Sequence, residues 1–255
     1  MDPTAILSGL LVGVIVGLTG VGGGSLMTPL LITVFKLNPA VAIGTDLWFA
    51  AVTKTSGSIA HHRAGHVNYR VMGLLLAGSI PASLGMITLM HATGITKGWA
   101  AALTFSLGIA LLLTAVTVAY RRVWLSIGLK LEAWIPDNRK PAFTVAAGVL
   151  LGVLVSLSSI GAGAIGATLI LLLYPRMPAR QLVGTDIAHA VPLTLVAGIG
   201  HATLGHVDWP LLAALLMGSI PGIWLGAHLT TRMPDALVRT LLCASLVTAG
   251  LKVIR

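Results

Sequence analysis

Eight apolar stretches fill this chain almost from end to end, at roughly 5–36, 39–60, 69–91, 98–120, 141–174, 181–203, 209–230 and 235–253. A helix that crosses a bilayer needs about 20 apolar residues. Six of the stretches have about that length; the first and fifth run longer, and both are interrupted by glycine near their middle. Inside lipid every backbone polar group must be satisfied within the protein, so stretches of this kind read as helices. The expected fold class is therefore all-α, a polytopic helical membrane protein. Composition closes the alternatives: charged residues make up 9% and mean hydropathy is +0.96, against about 25% charge in a soluble domain. A soluble enzyme and a disordered chain are both excluded. The single Cys243 leaves no disulfide framework and no cysteine-based metal site.

The net charge of +9 does not point to nucleic acid, because the basic residues sit in short runs between apolar stretches and form no aromatic–basic patch. The start, Met1-Asp2-Pro3-Thr4, lacks a basic n-region, so the first apolar stretch is expected to stay in the mature protein.

The two halves repeat each other. Gly44-Thr45-Asp46 matches Gly184-Thr185-Asp186, Gly65-His66-Val67 matches Gly205-His206-Val207, and Gly78-Ser79-Ile80-Pro81 matches Gly218-Ser219-Ile220-Pro221, all at an offset of 140. Gly22 and Gly24 align with Gly161 and Gly163 one residue short of that offset. The chain divides into a first transmembrane repeat (1–120), a linker (121–140) and a second repeat (141–255). In the linker, Val123, Trp124, Leu125, Ile127, Leu129, Leu131, Trp134 and Ile135 alternate with Arg121, Arg122, Lys130 and Glu132, the pattern of a short interfacial helix. If the two long stretches are re-entrant hairpins, eleven basic residues gather on the linker side and four on the other; if each crosses once, the split is nine to six. The positive-inside rule prefers the sharper split. That gives six spans plus two hairpins, both termini outside, and inverted repeats.

Non-helical backbone at membrane depth is tolerated only where protein or a wet cavity surrounds it. New half-helices are expected to start at about Ser25 and Ala164, after the breaks at Gly22-Gly23-Gly24 and Gly161-Ala162-Gly163. The first N–H groups of a helix lack partners and carry about half a positive charge. Two such ends facing each other across the repeats make an anion site without a charged side chain. Thr19, Ser25, Ser158 and Ser159 would add hydroxyl donors. The alternative is close helix packing through small residues. Asp46 and Asp186, intramembrane carboxylates at equivalent positions, are candidates for proton coupling. The competing reading makes each an N-cap at the start of its own helix. Lys54, two turns after Asp46, would pair with it or meet the anion directly, or snorkel to the interface. His189, one turn after Asp186, would form a proton relay with it or a satisfied buried pair. His61, His62, His66, His201 and His206 resemble a metal cluster only superficially, since a spacing of five does not put two imidazoles on one helix face. No metal and no cofactor is expected.

On Gly17-Leu18-Thr19-Gly20-Val21-Gly22-Gly23-Gly24 with Pro29, on Gly44-Thr45 and on the Gly65-His66-Val67 turn, with their second-half counterparts, the chain resembles the TauE/SafE sulfite and organosulfonate exporter family, also called TSUP. The resemblance covers nearly the whole chain. It implies export of sulfur-containing anions such as sulfite, sulfoacetate or thiosulfate across the bacterial inner membrane. The second half departs from the motif, with Gly161-Ala162-Gly163-Ala164 in place of a full glycine run. The expected function is a secondary anion transporter, not an enzyme, with an anion channel using the same helix ends as the alternative. The expected partners are a small anion and membrane lipid, with a homodimer as an open option and no nucleic acid.

Overall fold

The computed structural model describes residues 3–19, 24–94, 97–229, 240, 243–244 and 246–251. Among these there is no strand. Ten helices follow one another: α1 (Pro3–Thr19), α2 (Gly24–Thr33), α3 (Pro39–Arg63), α4 (Tyr69–Thr93), α5 (Lys97–Ala119), α6 (Arg121–Trp134), α7 (Lys140–Ser158), α8 (Ala164–Leu173), α9 (Ala179–Thr203) and α10 (Trp209–Leu229). Residues 246–251 are also helical, and Gly250 lies against Leu111 and Leu112 of α5. Most of the eighth apolar stretch falls outside the described residues. Five helices, α4, α5, α7, α9 and α10, are long and apolar enough to cross a membrane. α3 has the same 25 residues as α9 but carries Asp46, Lys54, His61, His62 and Arg63, which lower its hydropathy.

The helices pack through glycine. A Cβ on Gly9, Gly13 or Gly218 would collide with backbone carbonyls of Leu215, Ser219 or Ile6, so α1 and α10 run parallel with their backbones in contact. The same close approach joins α4 and α7, where Gly78, Gly148 and Gly152 face the carbonyls of Val145, Leu75 and Ser79. In lipid, where no hydrophobic drive holds helices together, small residues make this close contact the source of association. Through the middle, α3 and α9 cross antiparallel: the Trp48 indole donates to the Gly198 carbonyl at 2.9 Å, while Gly57 meets Ile187 and Gly184 meets His61.

α7 and α8 form a hairpin. The Thr144 hydroxyl, at the start of α7, bonds the Tyr174 hydroxyl just past the end of α8 at 2.8 Å, while Ser159–Gly163 joins the other two ends. α6 lies beside that open end, with Gly128 packed on Leu171 and Leu172. Glu132 of α6 pairs with Arg176 at 3.0 Å and with Lys140 at 3.5 Å. Asp137 sits 2.8 Å from Lys140, whose hydrogen bond holds the Asp137 carboxyl below the usual carboxylate range. The linker is thus a helix at 121–134, as its sequence pattern implies, with Val123, Leu129 and Trp134 exposed.

Candidate functional site

The second glycine break is a true interruption. α7 ends at Ser158, and Ser159 takes a left-handed conformation (φ 58°). Gly161 (φ 136°) and Gly163 (φ 145°) occupy backbone that residues with a Cβ avoid, and α8 begins at Ala164. In the first half, α1 ends at Thr19 and α2 starts at Gly24. Gly22 and Gly23 lie outside the described residues, as do the side chains of Thr19 and Ser25.

Asp46 and Asp186 are mid-helix residues, not caps of their own helices. α3 is capped by Asn38, whose Oδ1 accepts from the Ala40 N–H at 2.9 Å, with Pro39 at its first position. α9 starts after Pro178. What the two carboxylates face is the start of a half-helix. Asp46, fully buried, accepts from the Thr28 hydroxyl of α2. Asp186 lies against the first turn of α8: its Oδ1 occupies the space a Cβ on Gly166 would need, and the Gly163 N–H points to it. Each carboxylate keeps one buried oxygen, Oδ1, without a protein partner.

The repeated Gly-Thr-Asp motif therefore has three parts. Gly44 lets the His206 carbonyl reach α3, and Gly184 lets the His66 carbonyl reach α9. Thr45 accepts from the Asp208 N–H at 3.0 Å, and Thr185 accepts from the Asn68 N–H at 2.9 Å. The aspartate then reaches the half-helix. Each Gly-His-Val turn of one half is clamped on the Gly-Thr-Asp segment of the other.

Lys54 is buried, at 8% exposure, so it does not snorkel. Its ammonium donates to the Ala162 carbonyl in the turn of the break. It forms no ion pair with Asp46 but lies within electrostatic range of both Asp186 and Asp46. The Ser159 side chain faces Asp46 without closing a hydrogen bond. The segment Ser159–Gly163 thus runs from one carboxylate to the other, with Lys54 held between them. Ser158 is committed locally: its hydroxyl donates to Leu154 O at 2.7 Å and accepts from Ile160 N at 3.2 Å. That leaves Ser159, buried with a free hydroxyl, as the better donor of the pair.

His189 is fully buried and turns away from Asp186, with Nε2 on the Ser79 hydroxyl at 2.9 Å. The other histidines form two pairs, His61 with His66 and His201 with His206, ring centres 5.7 and 5.4 Å apart. Among the described residues no cluster has the makings of a metal site. Gly166 is a site residue that sequence reasoning missed; its only sequence signal is a third glycine in the Gly161–Gly166 run. A cavity of about 190 Å³, lined by Ser58, Ile59, His62, Tyr69 and Ala188 among others, opens on the α3–α4 turn side and does not reach the Ser159–Gly163 segment.

The family profile for the sulfite exporter TauE/SafE matches residues 5–253. A probable membrane transporter protein of Bacillus subtilis, YjnA, is 40% identical over the whole of both chains. A second B. subtilis protein, YdhB, also described as a probable membrane transporter, is 29% identical over 96% of this chain and 97% of its own. A probable membrane transporter of Xylella fastidiosa is 29% identical over 89% of this chain and 84% of its own. No solved structure matches the chain. With its multi-pass helices, this is a bacterial inner-membrane transporter and not an enzyme, and the chain belongs to the TauE/SafE family.

Proposed function

We propose that the protein is a secondary transporter of small sulfur-containing anions such as sulfite, thiosulfate or organosulfonates, coupled to protons through Asp186 and Asp46 and working as an exporter where the outward anion gradient exceeds the inward proton gradient. The observation that carries this reading is the start of α8, a half-buried helix N-terminus inside a long apolar stretch, faced by a buried carboxylate with one unpartnered oxygen. A helix start favours negative charge, and here the protein supplies its own. The substrate would compete with Asp186 for the Gly163 and Ala164 N–H groups, beside the Lys54 ammonium and the Ser159 hydroxyl.

The charge count sets the coupling. Two ionised carboxylates and one ammonium leave a surplus negative charge before any substrate arrives. At ~5 Å and an effective dielectric of ~20, one carboxylate repels a monoanion by about 3 kcal/mol. Protonation of Asp186 removes that repulsion and frees the helix end. Proton and anion therefore enter together, and loss of the proton expels the anion.

The antiparallel crossing of α3 and α9, equivalent helices of the two halves, supports inverted repeats, 1–120 and 141–255, joined by the tether at 121–140. Arg63, Arg70, Arg176, Arg180 and the basic residues of α6 then share one end, the cytoplasmic one by the positive-inside rule. Rocking of the halves about the α3–α9 crossing would open the site to either side.

Counterflow in proteoliposomes tests the proposal. Vesicles loaded with unlabelled thiosulfate should accumulate labelled thiosulfate transiently, and an inward proton gradient should drive net uptake. Flux without trans-stimulation would instead indicate a channel.

A further inference from the structure

A cavity of about 190 Å³ opens where α3 turns into α4. Its walls are Ile59 and His62 of α3, Val67 of the turn, Tyr69 and Met72 of α4, and Ala188 of α9. Val67 and Ala188 are buried, while Ile59, His62 and Tyr69 are exposed at its mouth. Ile59 lies four residues before the end of α3, about 6 Å along the axis. The mouth therefore sits where the apolar part of a helix gives way to its charged end, the depth at which acyl chains meet headgroups. The lining offers mostly carbon: His62 Nδ1 and the Tyr69 hydroxyl are bonded to each other, and Ser58 adds one hydroxyl. An apolar cavity of ~150 Å³ is enough to take up benzene, so this one has room for several methylenes of an acyl chain.

The rim is basic. Arg63 is the last residue of α3 and Arg70 the second of α4, so they flank the same turn. Both are exposed. Among the described residues neither is in an ion pair, since Glu132 and Asp137 are taken up by Lys140 and Arg176. Two exposed arginines beside an apolar cleft match a ligand with a phosphate at one end and a hydrocarbon tail at the other. A small free anion would meet the charges but have no use for the cavity.

The matching place in the other half is closed. At the offset of 140 residues, Ala188 corresponds to Trp48, Tyr69 to Trp209, Arg63 to Thr203 and Arg70 to Pro210. Trp48 and Trp209 pack together with ring centres 5.3 Å apart, and the Trp48 indole lies against the Gly198 backbone. Where the position of Ala188 carries an indole, both arginines are gone; where it carries a methyl, both are present. Loose packing alone would leave a gap without regard to charge.

We propose that the cleft between α3, α4 and α9 binds an anionic phospholipid of the cytoplasmic leaflet, with its phosphate on Arg63 and Arg70 and one acyl chain in the cavity. The leaflet follows from the orientation proposed above. The acyl chain bridges α3 and α4 to α9, beside the contact of Gly57 with Ile187 and the 2.9 Å bond from the Asn68 N–H to the Thr185 hydroxyl. Bound lipid thereby strengthens the hold of the 64–68 turn on α9. The inference goes beyond the anion site and uses none of its residues.

The test titrates delipidated protein in detergent with dioleoylphosphatidylglycerol, dioleoylphosphatidylcholine or glycerol phosphate. Native mass spectrometry counts bound lipid, and melting curves read stability. One phosphatidylglycerol should be retained per chain and should raise the melting temperature, because a ligand that binds only the folded form stabilises it. Phosphatidylcholine and glycerol phosphate should do neither. Arg63→Gln with Arg70→Gln should cut the preference for phosphatidylglycerol over phosphatidylcholine roughly 30-fold; an unchanged preference overturns the site. Ala188→Trp, which copies the filled position of Trp48, should remove the bound lipid while melting at or above the lipid-free parent. If that variant does not fold, Met72→Trp fills the cleft from α4 and should give the same result; a folded, filled variant that keeps its lipid overturns the site. Equal retention of the two lipids would show a nonspecific annulus, and equal stabilisation by glycerol phosphate would assign the arginines to free phosphate; either overturns the proposal. Thiosulfate counterflow, measured in parallel, keeps the readings apart. Exchange by a parent that retains no phosphatidylglycerol sinks the lipid site and leaves the transport reading intact.

Discussion

Asp186→Asn isolates the competition at the start of α8. The side chain keeps its shape but loses its charge, so the Gly163 N–H no longer faces an internal anion. The magnitude has two bounds. A charge at a partly buried helix terminus is worth up to about 2 kcal/mol, and the repulsion it exerts on a neighbouring anion is about 3 kcal/mol at ~5 Å and a dielectric of ~20. These are two views of one interaction and do not add. At about 1.4 kcal/mol per tenfold, the parent's affinity for an anion should fall roughly 30- to 150-fold as rising pH ionises Asp186. Calorimetric titration with methanesulfonate, a monoanion that does not titrate near neutral pH, reads this directly. Asp186→Asn should bind with an affinity nearly flat in pH. Gly166→Ala places a methyl where Asp186 Oδ1 sits; because the carboxylate is the end of a flexible side chain, it swings off α8, and the pH effect should shrink without vanishing. If Asp186→Asn keeps the parent's pH dependence, the carboxylate does not compete for the helix end and the reasoning fails.

Other outcomes follow from the same geometry. Lys54→Met should weaken thiosulfate binding at least tenfold and lower the melting temperature, because it leaves the Ala162 carbonyl buried without a donor, a loss of about 1–3 kcal/mol. Gly163→Leu, at φ 145°, should abolish thiosulfate exchange while size-exclusion profiles stay monodisperse; normal exchange would remove the site from this turn. Gly44→Val forces α3 off the His206 carbonyl and should cost about 1–3 kcal/mol or more through overpacking, seen as lost folded yield in detergent. Burial lowers the pKa of His206, so folding leaves it with fewer protons than the unfolded chain. Its contribution is present above the unfolded value of about 6.5 and is lost as pH falls below it. Melting curves of His206→Asn should accordingly be less acid-sensitive than those of the parent.

The broad outline was legible because lipid leaves few choices. Apolar length gave the helices, alternation in 121–135 gave α6, and left-handed glycine positions gave the break before Ala164. Gly-Thr-Asp was harder. A Gly-Thr-Asp triplet after a proline loop looks like a helix start, but Asn38 followed by Pro39 had already started α3, and the aspartate eight residues in was free to reach another element. Nothing local to Asp186 signals that its target is the Gly166 turn, because the contact is set by how α8 folds back on α9. The pairs Ser83–Ser156 and Lys54–Ala162 join residues far apart in sequence, and only the glycine-mediated contact of α4 with α7 and the approach of α3 to the break bring them together. Lys54 illustrates the limit: helical spacing put it on the face of Asp46, yet its long stem carries the ammonium across to the opposite repeat.

The central claim is that a negatively charged substrate sits on the N–H groups that open α8. A structure of the protein with 2-bromoethanesulfonate, its bromine located by anomalous scattering and its sulfonate by density, tests it most directly. The account predicts sulfonate oxygens on the Gly163 and Ala164 N–H groups and the Lys54 ammonium, with the Asp186 carboxyl displaced from Gly166. A sulfonate bound elsewhere, with Asp186 still against α8, would contradict it.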